Sequence, residues 1–226
     1  MKKPWVRLVL ATSIDGRLAF PNGEPKQLGG PADRKVLEES LAWADATLIG
    51  AKTILAHRST CEIHTQSLIN QRLLENRSKQ PIAIVVSRKQ KFSGDWYFFK
   101  QPIQKWLLTS NEKGNDDQLE DNYYFDRNLP LLNNWADTIS MLAHEGLNTI
   151  LVLGGAKLAS SMLKADVIAE LQLTIIPIII GGTQIWISDL ADNWPSQQSK
   201  KGSWIMKDNR GIGEHELLLR YCRNCD

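Results

Sequence analysis

Hydrophobic and polar positions alternate in blocks along this chain, and the blocks follow two different periods. Residues 6–14 are rich in Val and Leu and are closed by Asp15-Gly16, which predicts a buried strand. Short apolar runs of the same kind recur at residues 46–50 (ATLIG), 81–87 (PIAIVVS), 105–110 (KWLLTS) and 149–153 (TILVL). Residues 168–177 shift from alternating to apolar, and residues 178–182 close on a double glycine. Helical spacing takes over at Val36, Leu37, Leu41 and Ala44, in a segment that Pro31 opens; Asp33 sets a carboxylate near the positive helix end. A second helix spans residues 134–145, with Ala136, Ile139, Leu142 and Ala143 on one face and Gly146 as its stop, and a third follows Gly154-Gly155 as far as Leu163. Residues 51–57 start a short helix just past a strand. Two prolines and three glycines make residues 20–30 a loop, polar and acidic residues 111–121 a second one, and residues 123–126 a weaker strand candidate. Residues 204–207 and 214–221 predict a terminal antiparallel pair around a turn at 208–213.

Strands alternate with helices through most of the length and then give way to strands. That order predicts an α/β fold with a mostly parallel central sheet and an antiparallel C-terminal edge. With 226 residues, and no repeat or long linker, one domain over residues 1–226 is expected. A net charge of +2 without a basic block argues against a dedicated nucleic-acid binder. The longest apolar run, residues 175–180, is interrupted by Pro177 and falls far short of the roughly 20 residues of a membrane span. The N-terminal residues lack the apolar core and cleavage site of a secretory signal, and three cysteines, an odd number, fit a reducing cytoplasm.

In open α/β sheets, ligands bind beyond the carboxyl ends of the strands. Three such ends carry distinctive residues. Ser13 and Asp15, two apart, would point the same way and could hold a polar ring, although Asp15-Gly16 also suits a plain turn. Gly154-Gly155-Ala156-Lys157-Leu158 joins a strand to a helix, where glycines admit a close ligand and the following N–H groups can bind phosphate; a tight connection alone would look the same. The glycine turn is neither the three-glycine dinucleotide fingerprint nor a Walker A loop. Gly50-Ala51-Lys52-Thr53 offers a hydroxyl and N–H groups to a cofactor, with helix capping as the alternative.

Other constellations carry less. His57, Cys61 and His64 do not match a structural zinc spacing, so no metal is expected. Cys222 and Cys225 form a CxxC at the extreme C-terminus without a partner pair, and read as tail. No GxSxG elbow is present.

Four segments in order, LATSIDGRLA (10–19), ADATLIGAKTI (44–54), ILVLGGAKLASSML (150–163) and ELQLTIIPIIIGG (170–182), resemble the reductase domain of the riboflavin-biosynthesis deaminase-reductase family. That domain has a three-layer fold similar to dihydrofolate reductase. The resemblance implies NADPH as cofactor and reduction of a phosphorylated ribosylaminopyrimidine, with hydride transfer to C1′ of the opened ribose. By family position, Gly50, Thr53 and Gly154, Gly155, Ala156, Lys157 and Leu158 would hold NADPH. Ala11 would line the nicotinamide side, and Gln27 would also touch cofactor. Ser13, Asp15 and His57 would face substrate, with Asp15 the catalytic candidate as a polar orienting group. Relatives are dimers, and an exposed strand at residues 175–180 would pack across a two-fold axis.

The chain also departs from the family. His57-Arg58-Ser59 stands where an acidic pair and proline are usual, Leu153 where a glutamate precedes the double glycine, and Leu41 near a common basic position. The H-x-E and P-C-x-x-C strings of the family's deaminase half do not occur, so a stand-alone reductase is expected. Two alternatives stay open: another dihydrofolate- or pteridine-type reductase of this fold, or a diverged nucleotide-binding protein without activity.

Overall fold

The computed structural model describes residues 3–21, 28–87, 92–110, 124–187 and 194–224. The apolar run at the start forms β1 (Trp5–Ser13), followed by α1 (Pro31–Trp43), β2 (Ala46–Gly50) and α2 (Ala51–His57). Next come α3 (Gln66–Leu74), β3 (Ile82–Val86), α4 (Tyr97–Lys100), β4 (Lys105–Thr109) and β5 (Arg127–Pro130). The chain continues through α5 (Trp135–His144), β6 (Thr149–Val152), α6 (Ala156–Lys164) and β7 (Glu170–Ile176), and the hairpin β8 (Trp204–Ile212) and β9 (Glu216–Arg223) closes it.

The nine strands of the described residues share one sheet in the order β5-β4-β3-β2-β6-β1-β7-β9-β8. Pairing is parallel from β5 to β7, and antiparallel from β7 to β9 and from β9 to β8. Alternation along the strands sorts their side chains to two faces. Val6, Leu8, Leu48, Ile84 and Ile150 join Ile139, Leu142, Ala159 and Met162 of α5 and α6. Val9 and Leu151 meet Leu41 and Ala42 of α1, and Ile49 and Val85 meet Ile54 of α2 and Phe98 of α4. The result is a sheet between two helical layers.

Polar side chains distant in sequence fix how α1 sits on the sheet. Glycine is the N-cap residue of α1 and supplies no side chain. Glu216 of β9 takes that part, accepting from Gly30 N at 2.6 Å and Asp33 N at 3.2 Å, a carboxylate at the positive helix end. At the other end Arg72, only 1% exposed, donates to the carbonyls of Leu41, Ala42 and Ala44. Arg77 adds the carbonyls of Ala42 and Trp43 and pairs with Asp45 at 2.9 Å. Burial and the nearby Arg77 charge lower the Arg72 pKa to about 10, which leaves it charged.

Several expectations need revision. The weak strand at 123–126 is not one: Phe125 packs edge-on against Phe92 and Phe99, Tyr123 lies outside the described residues, and the edge strand β5 follows with Leu129 as its single buried residue. The terminal pair is longer than expected. β8 runs on to Ile212, and the turn is the three-residue loop 213–215 with Gly213 at φ +58°. Residues 175–180 do not form an exposed strand. β7 ends at Ile176 between β1 and β9, and Ile178 and Ile179 lie in the loop beyond it.

Candidate active site

Because β2, β6, β1 and β7 are adjacent and parallel, their carboxyl ends bring the three predicted segments together. β1 pairs with β6 only as far as Leu8–Val152, but with β7 as far as Ser13–Ile176. Residues 9–13 therefore extend past the end of β6, with half-buried Ala11 midway along them.

The chain leaving β6 turns beside that overhang. Leu153 N donates to Leu48 O at 3.0 Å, and Gly50 N to Gly154 O at 3.2 Å, which ties the glycine turn to the end of β2. Gly154 has φ +90°, and a Cβ there would stand 3.0 Å from Leu10 Cδ2; both facts favour glycine. Gly155 N donates to Thr53 Oγ1 at 3.3 Å, and a Cβ on Gly155 would come within 2.9 Å of that oxygen. Helix α6 starts at Ala156 with no side-chain cap, so by helix geometry the N–H groups of Ala156, Lys157 and Leu158 have no intrahelical partner. Lys157 is exposed, whereas Leu158 is buried in the core and can offer a ligand only its N–H. A bare turn that any side chain would crowd, followed by an uncapped helix end, fits the pyrophosphate of a dinucleotide.

Ser13 and Asp15 do point the same way, but toward each other. Ser13 Oγ donates to Asp15 Oδ1 at 2.6 Å and accepts from Arg17 N at 2.9 Å. Asp15 Oδ1 also accepts from Ile180 N at 3.1 Å, and Oδ2 from Gly181 N at 2.7 Å. Arg17 Nε lies 3.8 Å from the same carboxylate and donates to Gly181 O. The Ser13 hydroxyl, with Gly181 and Ile180, holds the Asp15 carboxyl at about 2 against its partial burial. Asp15 is thus a charged anchor joining the end of β1 to the loop after β7.

His57 is exposed at the far end of α2, ~10 Å along the helix from Gly50 at 1.5 Å per residue. No described contact brings it to Ser13, Asp15 or the glycine turn. Gln27 and Cys225 lie outside the described residues. Among the described residues no group of three or more His, Cys, Asp or Glu side chains is arranged for a metal, and no helix is long and apolar enough to cross a membrane. Leu153, at the family's glutamate position, packs against the apolar clusters under α1 and α2, and Leu41 is fully buried. Sequence reasoning missed Arg17, Ile180 and Gly181 as partners of Asp15; Ile180 and Gly181 come from a loop far along the chain and use only backbone N–H groups.

Residues 4–202 match the RibD C-terminal domain family. The riboflavin biosynthesis protein RibD of Buchnera aphidicola is 30% identical over 183 residues, covering 79% of this chain and 49% of that protein. The chain spans about half the length of such relatives. A 2,5-diamino-6-ribosylamino-4(3H)-pyrimidinone 5′-phosphate reductase of Archaeoglobus fulgidus is 20% identical, with 80% and 83% covered. Among solved structures, a pyrimidine reductase-like protein of Corynebacterium diphtheriae superposes at a TM-score of 0.81 with 21% identity, over 99% of this chain and 93% of that one. A dihydrofolate reductase of Enterococcus faecalis complexed with NADP(H) superposes at 0.53 with 15% identity, covering 98% of each chain.

Proposed function

The chain belongs to the RibD C-terminal domain family, and we propose that it is a reductase that uses NADPH to convert 5-amino-6-(5-phosphoribosylamino)uracil to its ribityl form. The observation that carries this reading is the Gly154-Gly155 turn, with its uncapped helix and the Thr53 hydroxyl, beside the end of β1 that extends past β6. The names of two relatives, RibD and the pyrimidinone 5′-phosphate reductase, support the substrate class.

In this reading the unpartnered N–H groups at the N-terminus of α6 hold the pyrophosphate, with exposed Lys157 adding a cation. Thr53 holds the turn in shape through Gly155 N and faces the bound nucleotide. Ala11, small and half-buried on the overhang of β1, leaves room for the nicotinamide ring. When bound, the cofactor supplies hydride, which C1′ of the opened ribose accepts while the attached nitrogen takes a proton. Asp15 stays ionised at neutral pH and does not donate that proton; it positions Ser13 and the backbone at 180–181 around the pocket. The protein's share of catalysis is orientation of two reactants in a site shielded by its loops. The active species in this reading is a homodimer in the cytoplasm.

Titration with NADPH, followed by quenching of the fluorescence of the eight tryptophans, tests the cofactor. Micromolar binding of NADPH, tighter than NADH, supports the reading; absence of binding by either nucleotide ends it. Loss of reduced-nicotinamide absorbance on adding the pyrimidine then tests the substrate. Binding without turnover, but with turnover of a dihydropteridine, would select the other reductase reading. Light scattering at micromolar concentration tests the dimer, and a monomeric mass overturns it.

A further inference from the structure

Under α1, toward the opposite end of β1 from the glycine turn, the protein has a concavity. It measures about 230 Å³ and is lined by Arg7, Arg210, Arg220, Ser40, Gln172 and Trp43, among others. Ser13 lies six positions beyond Arg7 along β1, ~20 Å at about 3.3 Å per residue.

Its charge is unbalanced toward the interior. Arg7 and Arg220 share one buried carboxylate: Glu170 Oε1 lies 3.1 Å from Arg7 Nε and accepts from Arg220 Nε at 2.8 Å, while its Oε2 takes the Trp5 indole N–H at 2.9 Å. Arg210 pairs with Asp208 on the exposed edge strand at 3.3 Å. Glu39 lies at the rim, exposed to water.

Arg7 is the most constrained member. It is 7% exposed, and its guanidinium stacks on the Trp43 ring at 4.0 Å. A guanidinium carries five N–H donors. Here Nε faces the shared Glu170 carboxylate at 3.1 Å, and the described bond from NH1, to Ser40 Oγ, is long at 3.5 Å. Ser40 in turn gives its proton to Gln172 Oε1 at 3.1 Å, leaving the amide NH₂ as the donor end of Gln172. Burial lowers the pKa of Arg7. A buried cation with donors in excess of its acceptors, in a concavity lined by two more cations, calls for an anion.

We propose that this cavity is a binding site for a small anion, a phosphorylated or carboxylated molecule, separate from the cofactor cleft. Its volume lies below the roughly 300–1,000 Å³ of pockets that hold drug-sized ligands, so it suits a phosphate or short dicarboxylate and not a dinucleotide. The guanidinium N–H groups of Arg7 and Arg220 that Glu170 leaves free suit recognition of either group. The exposed Glu39 carboxylate at the entrance works against long polyanions. The site stands on residues other than those of the proposed reductase cleft, so either can fail alone.

Calorimetric titration of the full chain with inorganic phosphate and with malonate, at ionic strength matched by chloride, tests the site. The expected result is saturable binding of at least one anion, undiminished by saturating NADPH and at least tenfold weaker in Arg210→Gln/Arg220→Gln. That variant keeps the Arg7–Glu170 pair, and Arg210→Gln alone, on an exposed side chain, serves if the double variant does not fold. Preference for phosphate or malonate identifies which anion the site takes. The proposal is overturned if neither anion saturates beyond the chloride control. It is equally overturned if NADPH displaces the anion, or if the arginine variants bind as the parent does.

Discussion

Replacing Gly155 by aspartate separates two contributions to cofactor binding. Any side chain at this position puts a Cβ 2.9 Å from Thr53 Oγ1, so Thr53 turns away and the 3.3 Å bond from Gly155 N is lost. Gly155→Ala suffers only that loss, about 1 kcal/mol, or roughly a fivefold weaker Kd. Aspartate adds a negative charge where the pyrophosphate sits. At about 5 Å and an effective dielectric near 20, two unit charges repel by ~3 kcal/mol; screening of this half-buried position at ordinary salt leaves about 2. The two contributions together give about 3 kcal/mol, on the order of 100-fold in Kd. Tryptophan quenching with NADPH reads both variants, and the gap between them should narrow as salt is raised. Aspartate is a favoured N-cap residue, so thermal stability should hold, and weaker binding cannot be put down to unfolding. Equal affinity of Gly155→Ala and Gly155→Asp, or parental affinity in both, would refute the placement of the pyrophosphate.

Three other perturbations bear on what holds the site. Burial alone would raise the Glu38 carboxyl, but bonds from Thr65, His64 and Arg34 hold it at about 2. Such a depressed carboxyl stabilises the fold above pH ~4.5 and loses that effect as pH falls toward 2, so Glu38→Gln should cost ~3 kcal/mol at pH 7, with the gap closing in denaturant melts near pH 2. Arg72→Met leaves the last carbonyls of α1 without their donor and should cost about 3 kcal/mol, a fall in Tm of roughly 6–12 °C; an unchanged Tm in calorimetry would contradict the capping role. Asp15→Asn turns an N–H donor toward Gly181 N, so kcat should fall well below that of the parent while the Kd for NADPH stays within about twofold. A kcat profile showing an Asp15-dependent ionisation between pH 5 and 9 would overturn its role as a permanently charged anchor.

The buried strands were legible because full burial leaves long apolar runs: β2 and α2 fall where the residues predict, and β1, β3, β4 and β6 within a residue or two. Hydrophobic period was silent where burial is polar. α3 presents Leu68 and Ile69 to the core but also a wholly buried arginine, Arg72, and β5 buries only Leu129. The glycine turn could be read because backbone freedom and helix starts leave residue types behind. That Ser13 and Asp15 would satisfy each other was less visible, since the deciding donors are backbone N–H groups of Ile180 and Gly181, 165 or more residues away.

The same long separations set a schedule for the growing polypeptide. β1 lies mid-sheet, yet both of its neighbours, β6 and β7, come more than 130 residues later, and the carboxylate that caps α1 comes later still, at Glu216. At about 5–20 residues per second of synthesis, β1 waits on the order of ten seconds with both edges open. Helix α1 can start but cannot acquire its cap until β9 is made. The opening third of this domain is therefore the last part of it to gain its lasting partners, and until then the apolar β1 stays open to wrong pairing.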